Sequence, residues 1–420
     1  MMPEQLLQAW AAGRIVPLAA ARQRAELAVA LGPGDRRGVL EPLQRQWGPG
    51  VLVGSGGSSG GRRWCLQPLI HLQASAAATG RWLEGIGFDP AACLHLNPLP
   101  LHHVSGLLPL VRARQWGCGH LPIAPVLLRD PEALAAALPV PSDRPALISL
   151  VPTQLQRLMA APAGLAWLRQ LAVIWVGGAP LPQAAAALAR AEGLRLAPCY
   201  GATETAAMVC ALAPERFLAG AAGCGLQLAD VEVRLKADTG AIAVRTARLS
   251  PGWLERGELR PLPGCKSGAS GHQGWWRSGD GGRLTPEGLL VLGRLDGALH
   301  SGGETVFPEV LEERLLAAAQ VAGLALEAVL LLPEDDPEWG QRLVALVRPA
   351  PAATGAQESL LAALAAITRP WLPAERPRRW LLCPELVCTA HGKWQRGHWR
   401  GWLTSLEAGR SITGPNDDPQ

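Results

Sequence analysis

The sequence predicts an α/β protein: a large N-terminal α/β domain with layered sheets and a β-rich subdomain, followed by a small, mobile α+β C-terminal domain. Three observations carry this. Between residues 146 and 191, buried β-branched runs alternate with helical patterns, which argues for layering and mostly parallel strands. From 231 to 292, period-two alternation and frequent Gly and Pro mark a smaller β-rich segment. After Gly293-Arg294-Leu295-Asp296, helical and strand patterns resume in a shorter stretch.

The elements follow in order. Helical patterning runs over 4–30 and stops at Gly32-Pro33-Gly34. Val51-Leu52-Val53 reads as a short apolar strand entering a Gly/Ser loop, and helix-like sequence follows over 64–85. Residues 146–151 form a buried strand, and Pro152-Thr153 opens a helix of the Leu155, Leu158, Met159 type. Residues 171–176 form another buried strand, ended by Gly177-Gly178, and an Ala-rich helix covers 183–191. Strands are expected at 231–235 and 241–244. The last part carries a helix at 308–320, strands at 328–332 and 343–347, and a helix at 358–367. These patterns divide the chain into 1–295, 296–408 and a disordered tail at 409–420. No internal repeat occurs.

Composition narrows the function classes. The 420 residues are 48% hydrophobic and 18% charged, which excludes general disorder, and a net charge of +4 argues against a dominant nucleic-acid footprint. No run of apolar residues is long enough for a membrane span. Charged residues within the first 30, such as Glu4, Arg14 and Arg24, argue against a signal peptide. Nine cysteines without a C-x-x-C argue against structural zinc and for reduced thiols in a cytoplasm. Of 39 basic residues only Lys236, Lys266 and Lys393 are lysine. In such an Arg-rich chain a retained lysine points to chemistry that arginine does not supply.

Six segments carry chemistry. Ser55-Gly56-Gly57-Ser58-Ser59-Gly60-Gly61-Arg62-Arg63 follows a strand and is expected to precede a helix; its backbone N–H groups and hydroxyls suit an anion. Pro100-Leu101-His102-His103-Val104-Ser105-Gly106 holds two adjacent histidines, of which one is a site candidate. Tyr200-Gly201-Ala202-Thr203-Glu204-Thr205 offers a ring for a base, a hydroxyl for phosphate and a carboxylate for Mg²⁺. Trp276-Arg277-Ser278-Gly279-Asp280 places an Asp after a Gly turn, suited to ribose hydroxyls. Gly293-Arg294-Leu295-Asp296, followed by His300-Ser301-Gly302-Gly303-Glu304, suggests a charged hinge and a loop able to re-aim. His391-Gly392-Lys393-Trp394-Gln395-Arg396 offers a lysine in a Gly-started loop, suited to developing negative charge.

Together and in this order, the segments resemble the adenylate-forming superfamily of acyl-CoA synthetases, peptide-synthetase adenylation domains and luciferases. The Ser55 loop resembles its phosphate loop, and the His103 segment resembles its P-L-x-H-x-x-G. Gly177-Gly178-Ala179-Pro180-Leu181 is similar to the adenine-side G-G-A-P-L, and Tyr200 to Glu204 matches Y-G-x-T-E. Ser278-Gly279-Asp280, Gly293 to Asp296 and Gly392-Lys393 match S/T-G-D, G-R-x-D and the terminal G-K. Within the superfamily, Ser301 to Glu304 with Phe307-Pro308-Glu309 resembles the acyl- and aryl-CoA ligases. The short length and His103-Val104-Ser105-Gly106 most resemble 2-succinylbenzoate–CoA ligases of menaquinone and phylloquinone synthesis.

The resemblance implies an acid–thiol ligase that uses ATP, Mg²⁺ and coenzyme A. An acyl-adenylate forms first and a thioester second. It implies that Ser55, Ser58, Ser59 and Gly60 hold the β,γ-phosphates, with Arg63 where relatives carry lysine. Gly178 and Ala179 would border the adenine, beside Tyr200 and Gly201. Thr203 and Glu204 would hold phosphate and Mg²⁺, and Asp280 and Arg294 the ribose. His103, Glu204 and Lys393 would be catalytic, with Lys393 bridging carboxylate and α-phosphate, and the small domain would turn about Asp296. The acid is expected to be an aromatic carboxylate. Arg112, Arg114 and His102 are open candidates for its distal carboxylate. No nucleic acid and no integral membrane association are expected, and self-association stays open. Relatives carry on the order of a hundred residues before the phosphate loop, so a reduced N-terminal subdomain is expected here. Other aryl- or acyl-CoA ligases, carrier-protein loading, and a non-catalytic nucleotide binder remain the alternatives.

Overall fold

The computed structural model describes residues 2–33, 36–55, 62–268, 271–351, 357–388 and 394–407. Contacts divide it into two compact units, Met1–Val291 and Leu292–Gln420. The expected tail at 409–420 lies outside the described residues.

The first unit is built on a seven-stranded sheet. Its order is Leu226–Gln227, Ala207–Ala211, Leu196–Ala202, Val173–Val176, Ala146–Leu150, Leu94–Asn97 and Gly119–Pro122. Five of these strands, from Leu196–Ala202 to Gly119–Pro122, run parallel. Parallel strands are buried on both faces, and side chains alternate accordingly. Ile148, Ile174 and Val176 enter one core with Leu155 and Leu158 of the helix Pro152–Met159, and with Ala185 and Ala189 of Gln183–Ala191. Leu147, Val173 and Trp175 enter the opposite core, with Ala78 and Leu83 of the helix Leu69–Gly85. Ile242, Val244 and Trp276 of a four-stranded sheet close that second core.

The N-terminal part departs from its expected helix. Pro3–Ala11 is helical, but Ile15–Leu18 is a strand, and a second helix covers Arg24–Leu31. Gly13 takes a left-handed φ of 73°, and the β-branched Ile15 and Val16 then pair with Gly50–Ser55. This strand is the edge of a five-stranded sheet, where Pro17 removes no needed donor.

The stretch expected to be helical from residue 64 also begins as a strand. Arg63–Pro68 pairs antiparallel with Gly50–Ser55, and the helix starts only at Leu69. Pro68 biases the residue before it toward extended backbone and itself stands at the helix N-cap. The Gly/Ser segment therefore joins two antiparallel strands rather than a strand and a helix.

In the second unit, Leu326–Asp336 and Gly340–Pro349 form a long antiparallel pair, and Pro377–Leu382 adds in parallel. The helices Pro308–Val321 and Gln357–Thr368 pack Leu311, Leu315, Leu360 and Leu364 against Val329, Leu331 and Ala345. Among the described residues no helix is long and apolar enough to cross a membrane.

Candidate active site

Tyr200 lies in the strand Leu196–Ala202 and donates its hydroxyl to Asp280 Oδ2 at 2.7 Å. Burial, and then the charge of Asp280, push the phenol well above its usual pKa, so it donates without ionising. The expected turn before Asp280 is absent. Asp280 sits inside the ten-residue strand Trp276–Thr285, where Ser278 Oγ accepts its backbone N–H at 3.2 Å. The strand pairs with Ala241–Arg245 on both sides of Gly279, and the register shifts between Arg277 and Gly281, so an irregularity in the ladder stands where the turn was expected.

Thr203–Thr205 forms a single 3-10 turn after the strand. Gly201 is required just before it, because a Cβ there would lie 2.2 Å from Ala207 O. The turn is held by side chains that carry no recognisable motif. Gln67 Nε2 donates to Thr203 O at 2.5 Å, and the N–H of Ser250 donates to Glu204 O at 2.7 Å. Arg248, fully buried, donates to Thr205 O, to Met208 O at 2.8 Å and to Ser75 Oγ at 3.3 Å, and pairs with Asp230 at 2.7 Å. This clamp fixes a loop in which Ala206 and Ala207 both take positive φ, 51° and 76°.

The carboxylate of Glu204 is 7% exposed, and its Oε1 accepts the indole N–H of Trp253 at 2.9 Å. The guanidinium of Arg63 lies 4.4 Å above the ring of Trp253. Arg63 in turn faces Ser55 across the ladder. Arg63 and Glu204 thus converge on one tryptophan, Trp253, that the motifs did not single out, and Ser55 is the ladder partner of Arg63. Ser58, Ser59 and Gly60 lie outside the described residues.

Among the described residues no cluster of three His, Cys, Asp or Glu side chains could enclose a metal. A lone carboxylate with one oxygen held by an indole fits Mg²⁺, which keeps most of its ligands as water and phosphate.

His103 stands at the N-cap of the helix Val104–Trp116, and its carbonyl accepts from Gly106 and Leu107 at 3.0 Å each. His102 and His103 touch ring to ring, with centroids 4.6 Å apart. Burial, then Arg22 and Arg62, lower the pKa of His102. Gly178 takes a left-handed φ of 81°, and both it and Ala179 are exposed after the strand Val173–Val176.

The three open candidates for a distal carboxylate separate clearly. Arg114 is exposed and His102 half-buried, whereas Arg112 is 4% exposed. Burial lowers the Arg112 pKa to about 10. Its guanidinium lies 4.9 Å from the centroid of Trp175, no described carboxylate pairs with it, and its Nε has no hydrogen-bond partner.

In the second unit, Arg294 pairs with Asp296, with its Nη2 3.2 Å from Oδ2. Gly293 and Gly297 press against Glu309, leaving 3.2 Å for a Cβ at either position. Arg396 binds Glu309 at 3.2 Å, Glu312 at 2.9 Å and Leu331 O at 2.9 Å. Lys393 lies outside the described residues.

The AMP-binding enzyme family matches residues 70–254. A 2-succinylbenzoate–CoA ligase of Salmonella typhimurium is 30% identical over 358 residues, covering 85% of this chain and 70% of that protein. One from Bacillus velezensis is 30% identical over 256 residues, covering 59% of this chain and 48% of its own. The chain thus spans about half the length of some curated relatives it matches.

Two solved structures share the fold. Wild-type E. coli MenE, with a phenylether-linked analogue of OSB-AMS, gives a TM-score of 0.62 at 24% identity, covering 96% of this chain and 92% of that one. The o-succinylbenzoate CoA synthetase of Bacillus subtilis, with its acyl-adenylate intermediate OSB-AMP, gives 0.63 at 22% identity, covering 83% and 68%. With the Salmonella relative matched across most of both sequences, the chain belongs to the AMP-binding, or adenylate-forming, enzyme family.

Proposed function

We propose that this chain is an ATP-dependent acid–CoA ligase acting on 2-succinylbenzoate, in the cytoplasm and in quinone synthesis. The observation that carries the substrate class is Arg112: a buried cation with no described carboxylate partner, set against an aromatic face. An unpaired buried charge is costly, and a ligand that brings an anionic group and an apolar ring offsets that cost. The names of the relatives support the same acid.

In the first half-reaction the substrate carboxylate attacks the α-phosphorus of ATP, giving acyl-adenylate and pyrophosphate. The side chains position and neutralise charge rather than react covalently. Ser55 and the loop after it hold the β,γ-phosphates, and Arg63, steadied by Trp253, supplies charge beside them. Asp280 accepts ribose hydroxyls in place of the Tyr200 hydroxyl. Bound Mg²⁺ would neutralise phosphate charge, and Glu204 is the residue that would hold it. Gly178 and Ala179 border the adenine, and His103 closes the acyl side. In the second half-reaction the coenzyme A thiol attacks the adenylate carbonyl and AMP leaves.

Lys393 bridges the carboxylate and α-phosphate in this reading. Lys393→Ala should lower adenylation roughly 10²–10³-fold, the loss typical of one transition-state donor, as read by pyrophosphate release. The deciding assay combines the protein with Mg-ATP, coenzyme A and 2-succinylbenzoate and follows AMP and thioester mass together. A thioester of that acid is expected. AMP without a thioester would point to a carrier-bound thiol as the acceptor. No AMP from this or other aryl acids would defeat the ligase reading.

A further inference from the structure

The guanidinium of Arg112 has no described carboxylate to aim it, yet it is held. What lies beside it is a column of aromatic rings, one pair of them stacked. Trp175 is 2% exposed and His95 fully buried; their rings are nearly parallel, at 17°, with centroids 5.8 Å apart. Trp116 covers His95 at 5.1 Å and 33°, and Trp82 meets Trp175 at 6.0 Å and 44°. The column is tied at one end, because Trp116 Nε1 donates to Ala76 O at 3.0 Å. It spans the sheet strands Leu94–Asn97 and Val173–Val176 and the helix Val104–Trp116 that carries Arg112.

His95 has no polar anchor, and the buried indole N–H of Trp175 has none either. Neither ring nitrogen of His95 has a hydrogen-bond partner, although both are buried. An imidazole so placed costs free energy unless its ring face contributes something else. Burial, then Arg112, then His120 lower its pKa, so the ring stays neutral. A cationic ring at this point would repel Arg112 and weaken the stack.

We propose that His95 and Trp175 are positioning residues: the Trp116–His95–Trp175 column holds the Arg112 guanidinium by its face, leaving its edge free for a carboxylate, and so sets preference for acids with a second negative group. This rests on the reading of Arg112 as the distal-carboxylate site. A carboxylate partner from the protein would have occupied the edge of the fork; an aromatic partner occupies only the face.

The test measures Kd by calorimetry for two acids, 2-succinylbenzoate and 4-oxo-4-phenylbutanoate, the same acid without its ring carboxylate. The readout is the ratio of the two constants in the full chain, without turnover. Wild type should prefer the dicarboxylate, and Arg112→Met should abolish that preference. Trp175→Leu should cut it roughly tenfold while leaving binding of the monoacid within about twofold, since the ring face is worth on the order of one to two decades when desolvated. His95→Ala should cut it less, and His95→Phe, which keeps a neutral ring, should restore it. Should Trp175→Leu not fold, Trp175→Phe gives the same comparison with a loss of about threefold. Preference lost in Arg112→Met but kept in Trp175→Leu and His95→Ala overturns the column's role and leaves the Arg112 reading standing. Equal binding of both acids by wild type overturns both.

Discussion

Single side chains decide the chemistry of the nucleotide side. Trp253 donates to one oxygen of Glu204, and among the described residues nothing takes the other. Trp253→Phe keeps the ring under Arg63 but removes the N–H. A hydrogen bond to a charged group contributes about 1.5–3 kcal/mol, so the carboxylate should wander and the Mg²⁺ concentration for half-maximal adenylation should rise at least several-fold. A magnesium titration at fixed ATP reads this, with thermal melting as the control for folding. Arg248 acts on the same turn from beneath. Arg248→Met leaves Asp230 without its partner and frees two backbone carbonyls. Breaking a buried pair this way costs about 3–5 kcal/mol, visible as a lower urea midpoint. Neither residue was visible beforehand. In a chain where arginine is the general-purpose cation, a clamping arginine looks like any other, and an indole next to Glu204 is separated from it by 49 positions.

At the scale of elements, the helix Val104–Trp116 carries both His103 at its start and Arg112 near its end. Its first turn rests on Gly106, where a Cβ would stand 2.3 Å from Pro100 O and 2.4 Å from Leu99 O. Gly106→Ala should push the helix off the Pro100 turn, at the roughly 1–3 kcal/mol typical of overpacking. A lower melting temperature together with weaker acid binding is the expected outcome, while a stability loss with unchanged binding would show that the helix entry does not position Arg112. Of the five parallel strands of the central sheet, Ala146–Leu150 and Val173–Val176 were legible, because each is a buried apolar run ended by Pro or Gly; Leu94–Asn97 and Gly119–Pro122, short and broken by His, Asn or Pro, were not. The helix Gln183–Ala191 falls at the bounds its composition suggested. The strands Ile15–Leu18 and Arg63–Pro68 were not legible: the first is short and pairs with a partner distant in sequence, and the second mixes Arg and Gln with apolar residues and runs without a break into the helix that follows. For Asp280, a Ser-Gly pair that locally favours a turn is overridden by the ladder on either side.

Across the whole molecule, protonation should trade against folding. His95, His102 and His120 all have lowered pKa values, with burial as the leading cause. Their unfolded forms take up protons near the usual 6.5, while the folded forms resist until lower pH. Below about pH 6.5 the unfolded state therefore binds more protons, and stability falls as pH falls through that window; above it these groups add no pH dependence. Melting temperatures measured at about pH 7.5 and about pH 5.5 should drop on acidification, and His95→Phe should shrink the drop. An unchanged difference in that variant would mean that His95 is not among the responsible groups.

The chain contains one tyrosine, and its hydroxyl is bonded to the aspartate proposed for the ribose. A preparation grown on isotopically labelled tyrosine would therefore show a single phenol resonance in the entire spectrum. Arrival of a nucleoside at Asp280 would take away the acceptor of that phenol and shift the one signal. The protein carries its own occupancy gauge, readable without dye, coupling enzyme or turnover.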